Sequence, residues 1–239
     1  MNLILDIGNT SVKAALFEER DLVVTDRIAD TGKEAIRGFC REAHIEKAIV
    51  SSVSSDPTET VTWLRDEGYY VHHLTWQSKL PFKNMYQTPE TLGADRLAAV
   101  AGAISQFGKS DILIIDAGSA ITYDLVTKAV FRGGTISPGM EMRFRALHTF
   151  TGRLPLCRYS RDFRYPASNT EDAITGGVVM GLAFELNEYI RTIRKEYGDL
   201  ITVLTGGDSQ LFTELIDDEY ITIPHLVMEG LNYLLEYNS

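Results

Sequence analysis

The sequence has little that would tie it to an oxidising compartment, a metal cluster or a membrane. Two cysteines occur in 239 residues, Cys40 and Cys157, far apart and outside any Cys-x-x-Cys or Cys/His cluster. That excludes a disulfide framework and a zinc site. Long apolar runs are missing: the longest uncharged apolar stretch, Ala173 to Phe184, has 12 residues, and a membrane span needs ~20. The opening Met1 to Asp6 has no basic residue and three apolar residues before an aspartate. No signal peptide is expected, and the cytoplasm is the expected compartment. Positive charge is scarce, with 23 Lys and Arg against 33 Asp and Glu, net −10. A grip on nucleic acid or on an anionic membrane rests on excess Lys and Arg, so neither partner is expected. Disorder is not expected either, because 44% hydrophobic and 23% charged residues is an ordinary globular balance. The length suits one large domain or two small ones.

The scarcity of positive charge is uneven. Arg132 to Arg164 holds seven arginines and two acids, Glu141 and Asp162, a local +5 against −15 for the remainder. Such a segment is either a solvated surface or the face turned to an anion, whether a phosphorylated ligand or an acidic neighbouring subunit.

What the chain does have is a repeat. Leu3-Ile4-Leu5-Asp6-Ile7-Gly8 matches Leu113-Ile114-Ile115-Asp116-Ala117-Gly118 at an offset of 110. Each apolar run ends in Asp-x-Gly and leads through small residues into a second β-type run, Val12 to Phe17 and Ile121 to Val126. Apolar run, turn residues and apolar run make a β-hairpin. Repetition at half-length predicts two similar domains packed face to face. Between the hairpins, Val23–Ile28, Lys47–Val53 and Tyr69–Leu74 read as strands, and Lys33–Ala43 and Thr58–Gly68 as helices. Pro81 to Pro89 reads as a loop, followed by a helix from Thr91 to Gly108. The second half opens with strand Ile112–Ile115. Gly133-Gly134 and Pro138-Gly139 then punctuate a loop. Ser168-Asn169-Thr170-Glu171 looks like a capping box before a helix reaching Tyr197. Gly176, Gly177 and Gly181 within that helix suggest close approach of another element. Strand Ile201–Leu204 and terminal helix Leu226–Tyr237 complete the pattern. Strands alternating with helices give an α/β fold, with domains 1–109 and 110–239.

Gly102 to Ser110 mimics a phosphate-binding Walker loop, but five residues separate its glycines instead of four, and helix precedes strand where the motif needs the reverse. The better candidate is Asp6-Ile7-Gly8-Asn9-Thr10-Ser11-Val12-Lys13. A turn at Gly8 can aim successive N–H groups at an anion. Asn9, Thr10 and Ser11 add short polar groups, Lys13 a point charge, and Asp6 a carboxylate for Mg²⁺. An ordinary β-turn would use Asn and Gly as well; the second copy, Asp116-Ala117-Gly118-Ser119-Ala120-Ile121-Thr122, argues against that. A third strand end, Thr205-Gly206-Gly207-Asp208, would let a flat ring approach the backbone. Three such strand ends in this order resemble the phosphate 1, phosphate 2 and adenosine motifs of the acetate and sugar kinase/Hsp70/actin superfamily.

Two further stretches, Tyr86-Gln87-Thr88-Pro89-Glu90-Thr91-Leu92-Gly93-Ala94-Asp95-Arg96 and Gly133-Gly134-Thr135-Ile136-Ser137-Pro138-Gly139, resemble the substrate and subunit-interface signatures of the type III pantothenate kinases. This resemblance covers essentially the whole chain. It implies two ribonuclease-H-like (actin-like ATPase) domains with mixed sheets flanked by helices and a cleft between them, and a homodimer. It also implies phosphorylation of pantothenate by ATP with Mg²⁺ and a monovalent cation, K⁺ or NH₄⁺, at the first step of coenzyme A synthesis. By matching motif, Asp95 would be the base on the primary hydroxyl for in-line attack on the γ-phosphate. Tyr86, Gly93, Ala94, Asp95 and Arg96 would line the pantothenate pocket, with Thr170 reaching in from the second subunit. Asp6 to Lys13, Ser119, Gly206 and Gly207 would hold ATP, Asp6 the Mg²⁺ bound through the phosphates, and Asp116 the monovalent cation. The family usually has Thr where this chain has Ser119, so the hydroxyl is kept and a methyl lost.

The residues themselves leave alternatives. Asp95 could be a helix-capping group paired with Arg96, and Tyr86 a surface aromatic. A nuclease binding two metals through Asp6, Asp116 and Asp208 is a second reading, disfavoured by the glycines and the acidic balance. A non-catalytic ATP-binding regulator is a third, disfavoured by the presence of Lys13, Asp95 and Arg96.

Overall fold

The computed structural model describes residues 1–8, 11–41 and 43–239. They form two compact units: Met1–Ser110 with Val126–Gly133 and His225–Ser239, and Asp111–Leu125 with Gly134–Pro224.

In the first unit, strand β1 (Asn2–Ile7) is buried at every position. A central strand covered on both faces needs an apolar run rather than alternation, and Leu3, Ile4, Leu5 and Ile7 supply it. It pairs antiparallel with β2 (Val12–Glu18), in a register that sets Asp6 beside Lys13 and Ile7 beside Val12. The turn between them closes with the Gly8 N–H donating to Ser11 O at 3.1 Å. Then come β3 (Asp21–Ile28), helix α1 (Lys33–Cys40), β4 (Lys47–Ser52), α2 (Thr58–Asp66) and β5 (Tyr70–His73). The sheet order is β3-β2-β1-β4-β5, with β4 parallel to both β1 and β5. Ile36 of α1 and Val61, Trp63 and Leu64 of α2 pack with Leu3, Leu5, Leu16 and Val50 of the sheet. After β6 (Lys83–Asn84) and a 3₁₀ turn at Pro89–Thr91, α3 (Ala94–Phe107) follows.

The second unit is built around β7 (Ile112–Ala117) and β10 (Ile201–Thr205), the short β11 (Ile221–Thr222) at one edge, and most of β8 (Ala120–Thr127) and β9 (Val130–Pro138), whose joined ends at Val126–Gly133 belong to the first unit. Its helices are α4 (Met140–Thr149), α5 (Thr170–Tyr197) and α6 (Ser209–Phe212). The sheet is six-stranded, in the order β6-β9-β8-β7-β10-β11, and its strands from β9 to β11 repeat the order β3-β2-β1-β4-β5, with β10 parallel to β7 as β4 is to β1. The internal sequence repeat is therefore a repeat of topology. Phe144 of α4 and Leu182, Leu186 and Ile190 of α5 pack on Leu113, Ile115 and Tyr123 of the sheet.

The last helix, α7 (Leu226–Asn238), belongs to the first unit, so that unit is not the continuous stretch 1–109 expected from the boundary near Gly108. The reason is packing. Gly102 of α3 and Gly230 of α7 let the two backbones touch: a methyl on Gly230 would run into Ala98 O, and one on Gly102 into Leu226 O. Gly102, half of the Walker-like decoy, is a helix-packing residue.

Other expectations change as well. Gly133-Gly134 and Pro138-Gly139 do not bound a loop; Gly133, Gly134 and Pro138 lie in β9. Gly134 is there because a Cβ would collide with Tyr123 O and Asp124 Oδ1, and a strand glycine marks such an approach as readily as a turn. The cap of α5 is shifted by one residue from the expected box. Asn169 Oδ1 accepts from the Asp172 N–H and Asn169 Nδ2 donates to Asp172 Oδ2, both at 2.8 Å. Of the three α5 glycines, Gly176 alone has a close neighbour, since a methyl there would come within 3.0 Å of the Phe163 ring, while Gly177 and Gly181 face open space.

Candidate active site

Four side chains of the first unit converge at the C-terminal end of β1. Asp6 is 7% exposed, and its Oδ1 is buried with no hydrogen-bond partner among the described residues. Burial pushes its pKa up to about 6 from 3.8; Lys13 pulls it down, Asp95 pushes it up, and the Ser51 hydroxyl draws it down. Lys13 comes from the facing strand and Asp95 from the start of α3, so the repeated Asp-x-Gly and the downstream Asp-Arg meet at one locus.

Asp95 is held by backbone. Gly93 caps α3 without a side-chain bond, and Asp95 Oδ1 accepts the Arg96 N–H at 2.8 Å. A methyl on Gly93 would strike that oxygen. The carboxylate thus folds over the first turn of the helix, where backbone N–H groups lack intrahelical partners. Arg96 is buried, and its guanidinium lies 5.3 Å from the Tyr86 ring centroid and 5.7 Å from that of Phe131. The two rings are almost parallel, 5° apart in plane with centroids at 6.3 Å. Tyr86 is set by its N–H donating to Asn84 Oδ1 at 2.9 Å, and Gly133, at φ 103°, leaves its ring clear. Tyr86 is thus a platform for Arg96. Ala94 is buried beside them.

In the second unit, Asp116 is the penultimate residue of β7, and Ser119 is exposed in the turn closed by Gly118 N–H to Ala120 O at 3.1 Å. Gly139 braces that turn, donating its N–H to Ser119 O at 3.1 Å where a methyl would meet the carbonyls of Gly118 and Ser119. Gly206, at φ 96°, packs where a methyl would strike Ala117 O and Asp116 Oδ1, and the Asp208 N–H donates to Ala117 O at 2.9 Å. Asp116, Ser119 and Gly206 are therefore neighbours, with Gly207 exposed beside them. Thr170, also exposed, is the first residue of α5. Of the residues expected to hold ATP, Ile7 is buried; Gly8, Ser11 and Val12 are half-buried; Asn9 and Thr10 lie outside the described residues.

Sequence reasoning missed three supporting residues. Ser51 is in register with Asp6 on the parallel strand β4. Ser54 Oγ donates to Gly8 O at 3.0 Å. Phe131 completes the Arg96 platform. The only signal for the first two is the polar run Ser51-Ser52-Val53-Ser54-Ser55 after a buried strand. Among the described residues no group of three or more His, Cys, Asp or Glu could hold a metal unaided. Asp6, with its unpartnered buried oxygen, fits a Mg²⁺ whose other ligands are phosphates and water. Asp116 offers an oxygen of the kind a monovalent cation takes.

Two sheets of one topology, each with a glycine turn beside an aspartate, define the fold of the acetate and sugar kinase/Hsp70/actin superfamily. A ROK family glucokinase from Streptomyces griseus, solved with glucose and AMPPNP, matches 99% of this chain and 98% of its own at TM-score 0.55 and 12% identity. A chain described as a Baf family transcriptional activator from Campylobacter jejuni matches 99% and 98% at TM-score 0.63 and 24% identity. The model of the type III pantothenate kinase family matches residues 2–192. The type III pantothenate kinase of Bacteroides fragilis is 40% identical over 100% of this chain and 99% of its own length. That of Christiangramia forsetii is 38% identical over the same shares. The chain belongs to the type III pantothenate kinase family.

Proposed function

We propose that this protein transfers the γ-phosphoryl group of ATP to the primary hydroxyl of pantothenate, giving 4'-phosphopantothenate and ADP at the entry to coenzyme A synthesis. The observation that carries the reading is the Asp95 carboxylate, pinned over the start of α3 within electrostatic reach of Asp6. Phosphoryl transfer asks for positioning and charge neutralisation rather than a strong base. Asp95 accepts the hydrogen bond of the attacking hydroxyl and fixes its direction. As the new O–P bond forms and the bond from phosphorus to the β,γ-bridging oxygen breaks, the hydroxyl proton passes to Asp95 and the electron pair leaves with ADP. Arg96, braced by Tyr86 and Phe131, lines the pantothenate pocket together with Gly93 and Ala94. Residues 6–13, Ser119, Gly206 and Gly207 bind ATP. Mg²⁺, held near Asp6, would neutralise phosphate charge, and a monovalent cation at Asp116 would do the same.

A homodimer is part of the proposal. On the second unit, α4 and α5 flank a groove of about 1140 Å³ lined by Met142, Leu147, Phe150, Leu154, Ile174 and Val178, with Thr170 also on its wall. Ile136, Phe150 and Phe184 are 65%, 84% and 66% exposed. Apolar surface of this kind, together with open Gly177 and Gly181, suits a second copy, which would carry its Thr170 toward the partner's substrate. None of the helices among the described residues is long and apolar enough to cross a membrane, and dependence on ATP suits the cytoplasm.

The test is ADP release by the purified protein with and without pantothenate, in potassium and in sodium. Turnover should require pantothenate and fall on the order of 10²-fold or more in Asp95→Ala. ADP release indifferent to pantothenate, or an Asp95→Ala variant as active as the parent, would sink the assignment.

A further inference from the structure

Strand β4 runs Lys47-Ala48-Ile49-Val50-Ser51-Ser52, and its buried middle is apolar until Ser51. Ser51 has no exposed surface, and its Oγ makes no hydrogen bond among the described residues. Burying a hydroxyl in that state is costly, and alanine would fill the position without the cost. The register explains what the hydroxyl faces. Asp6 and Ser51 are paired across the parallel β1–β4 ladder, so their side chains leave the same face of the sheet, one strand spacing apart. Asp6 Oδ1 is likewise buried and unpartnered. Two orphaned polar atoms, one an acceptor and one able to donate, stand side by side at the strand ends. The pull of the Ser51 hydroxyl toward the ionised form of Asp6 agrees with that placement. The segment continues into the phosphate turn: the Val53 N–H donates to Ile7 O at 3.1 Å, and Ser54 Oγ to Gly8 O at 3.0 Å.

We propose that Ser51 is a positioning residue for Asp6: its hydroxyl donates to one carboxylate oxygen and so fixes the angle at which the other meets Mg²⁺ and its water shell. Ser51 touches neither substrate nor metal. The inference rests on the role given to Asp6 above. Outer partners of metal-binding carboxylates act in this way, and their loss weakens metal binding while the fold persists.

The experiment is calorimetric titration of the intact protein with AMPPNP, in Mg²⁺ and in EDTA, for the parent, Ser51→Ala and Ser51→Thr, with thermal melts of each. In the parent, Mg²⁺ should tighten nucleotide binding. Ser51→Ala should lose roughly tenfold or more of the affinity in Mg²⁺, keep the EDTA affinity within about twofold, and melt close to the parent. Ser51→Thr keeps the hydroxyl and should recover most of the Mg²⁺-dependent gain. A Ser51→Ala protein with the parent's full gain overturns the proposal, as does an equal loss in Mg²⁺ and EDTA, or a Ser51→Thr protein that melts like the parent yet binds like Ser51→Ala. A parent whose nucleotide binding ignores Mg²⁺ overturns instead the role given to Asp6, and this inference with it.

Discussion

Gly93 has no side chain because Asp95 uses the space. A methyl there would displace the Asp95 oxygen that now accepts the Arg96 N–H. Gly93→Ala should therefore cost activity with little effect on folding. Misplacing a reacting group by about 1 Å can cost 10²-fold, and kcat should fall by that order while the melting temperature stays near the parent's. A steady-state ADP assay beside a thermal melt checks it. Asp6 shows the opposite balance. Its carboxyl titrates near 3.8 when exposed and at about 6 in the folded protein. Between those values the folded state binds more protons than the unfolded, so stability falls as pH rises through the window. Well above pH 6 the full penalty, about 3 kcal/mol, is in force. Asp6→Asn should then melt several degrees above the parent at pH 7.5, lose that advantage by pH 4, and be inactive. His72 and His73, whose pKa values burial lowers, act in the opposite sense, losing stability as pH falls below 6.5. They are common to both proteins and cancel in the difference between the two melting curves.

At the scale of elements, the strands that carry the site are also those most legible in the sequence. β1 and β7 are unbroken apolar runs ending in Asp-x-Gly, a pattern that needs no tertiary knowledge to read. β9 was illegible because Gly133, Gly134 and Pro138 carry turn chemistry, and only the neighbouring backbone at Tyr123 and Asp124 explains Gly134 inside a strand. Helix α4 was missed because it buries just Met140 and Phe144, too short an apolar stripe to show a period. Ser51 falls inside the strand legible as Lys47–Val53, but nothing local marks its role, because its partner Asp6 is 45 positions upstream. The β8–β9 turn holds an unforced cost: Lys128 and Ala129 both sit in the left-handed region, at φ 51° and 58°. Left-handed backbone costs a residue with a Cβ about 1–2 kcal/mol, and glycine returns part of that as chain entropy. Ala129→Gly should stabilise the protein by roughly 0.5–1 kcal/mol in denaturant unfolding, with kcat unchanged.

For the whole molecule, the division of the chain matters more than its length. The first unit carries Asp6, Lys13, Asp95 and Arg96, yet it is closed by residues beyond the second unit. Asn232 of α7 accepts a hydrogen bond from Asn2 at 2.8 Å and donates one to Glu19 O at 2.8 Å, and Lys47 pairs with Glu236 at 2.8 Å. These bonds tie α7 to the sheet, while Gly230 seats it on α3. Gly230→Ala forces a methyl into Ala98 O, an overpacking that typically costs 1–3 kcal/mol. Because Asp95 lies in the first turn of α3, the variant should lower both the melting temperature and kcat, whereas Gly93→Ala lowers kcat alone; the two measurements side by side separate support of the helix from placement of its first turn.

The return of α7 also sets a timetable. On the ribosome, every residue of the second unit is translated between α3 and α7, so the second sheet is complete while α3 still lacks its partner. The half of the protein that holds the proposed base must wait, with Ala98 and Gly102 uncovered, for the helix that seats on them. A chain released early would keep its hairpins and lose the floor under Asp95.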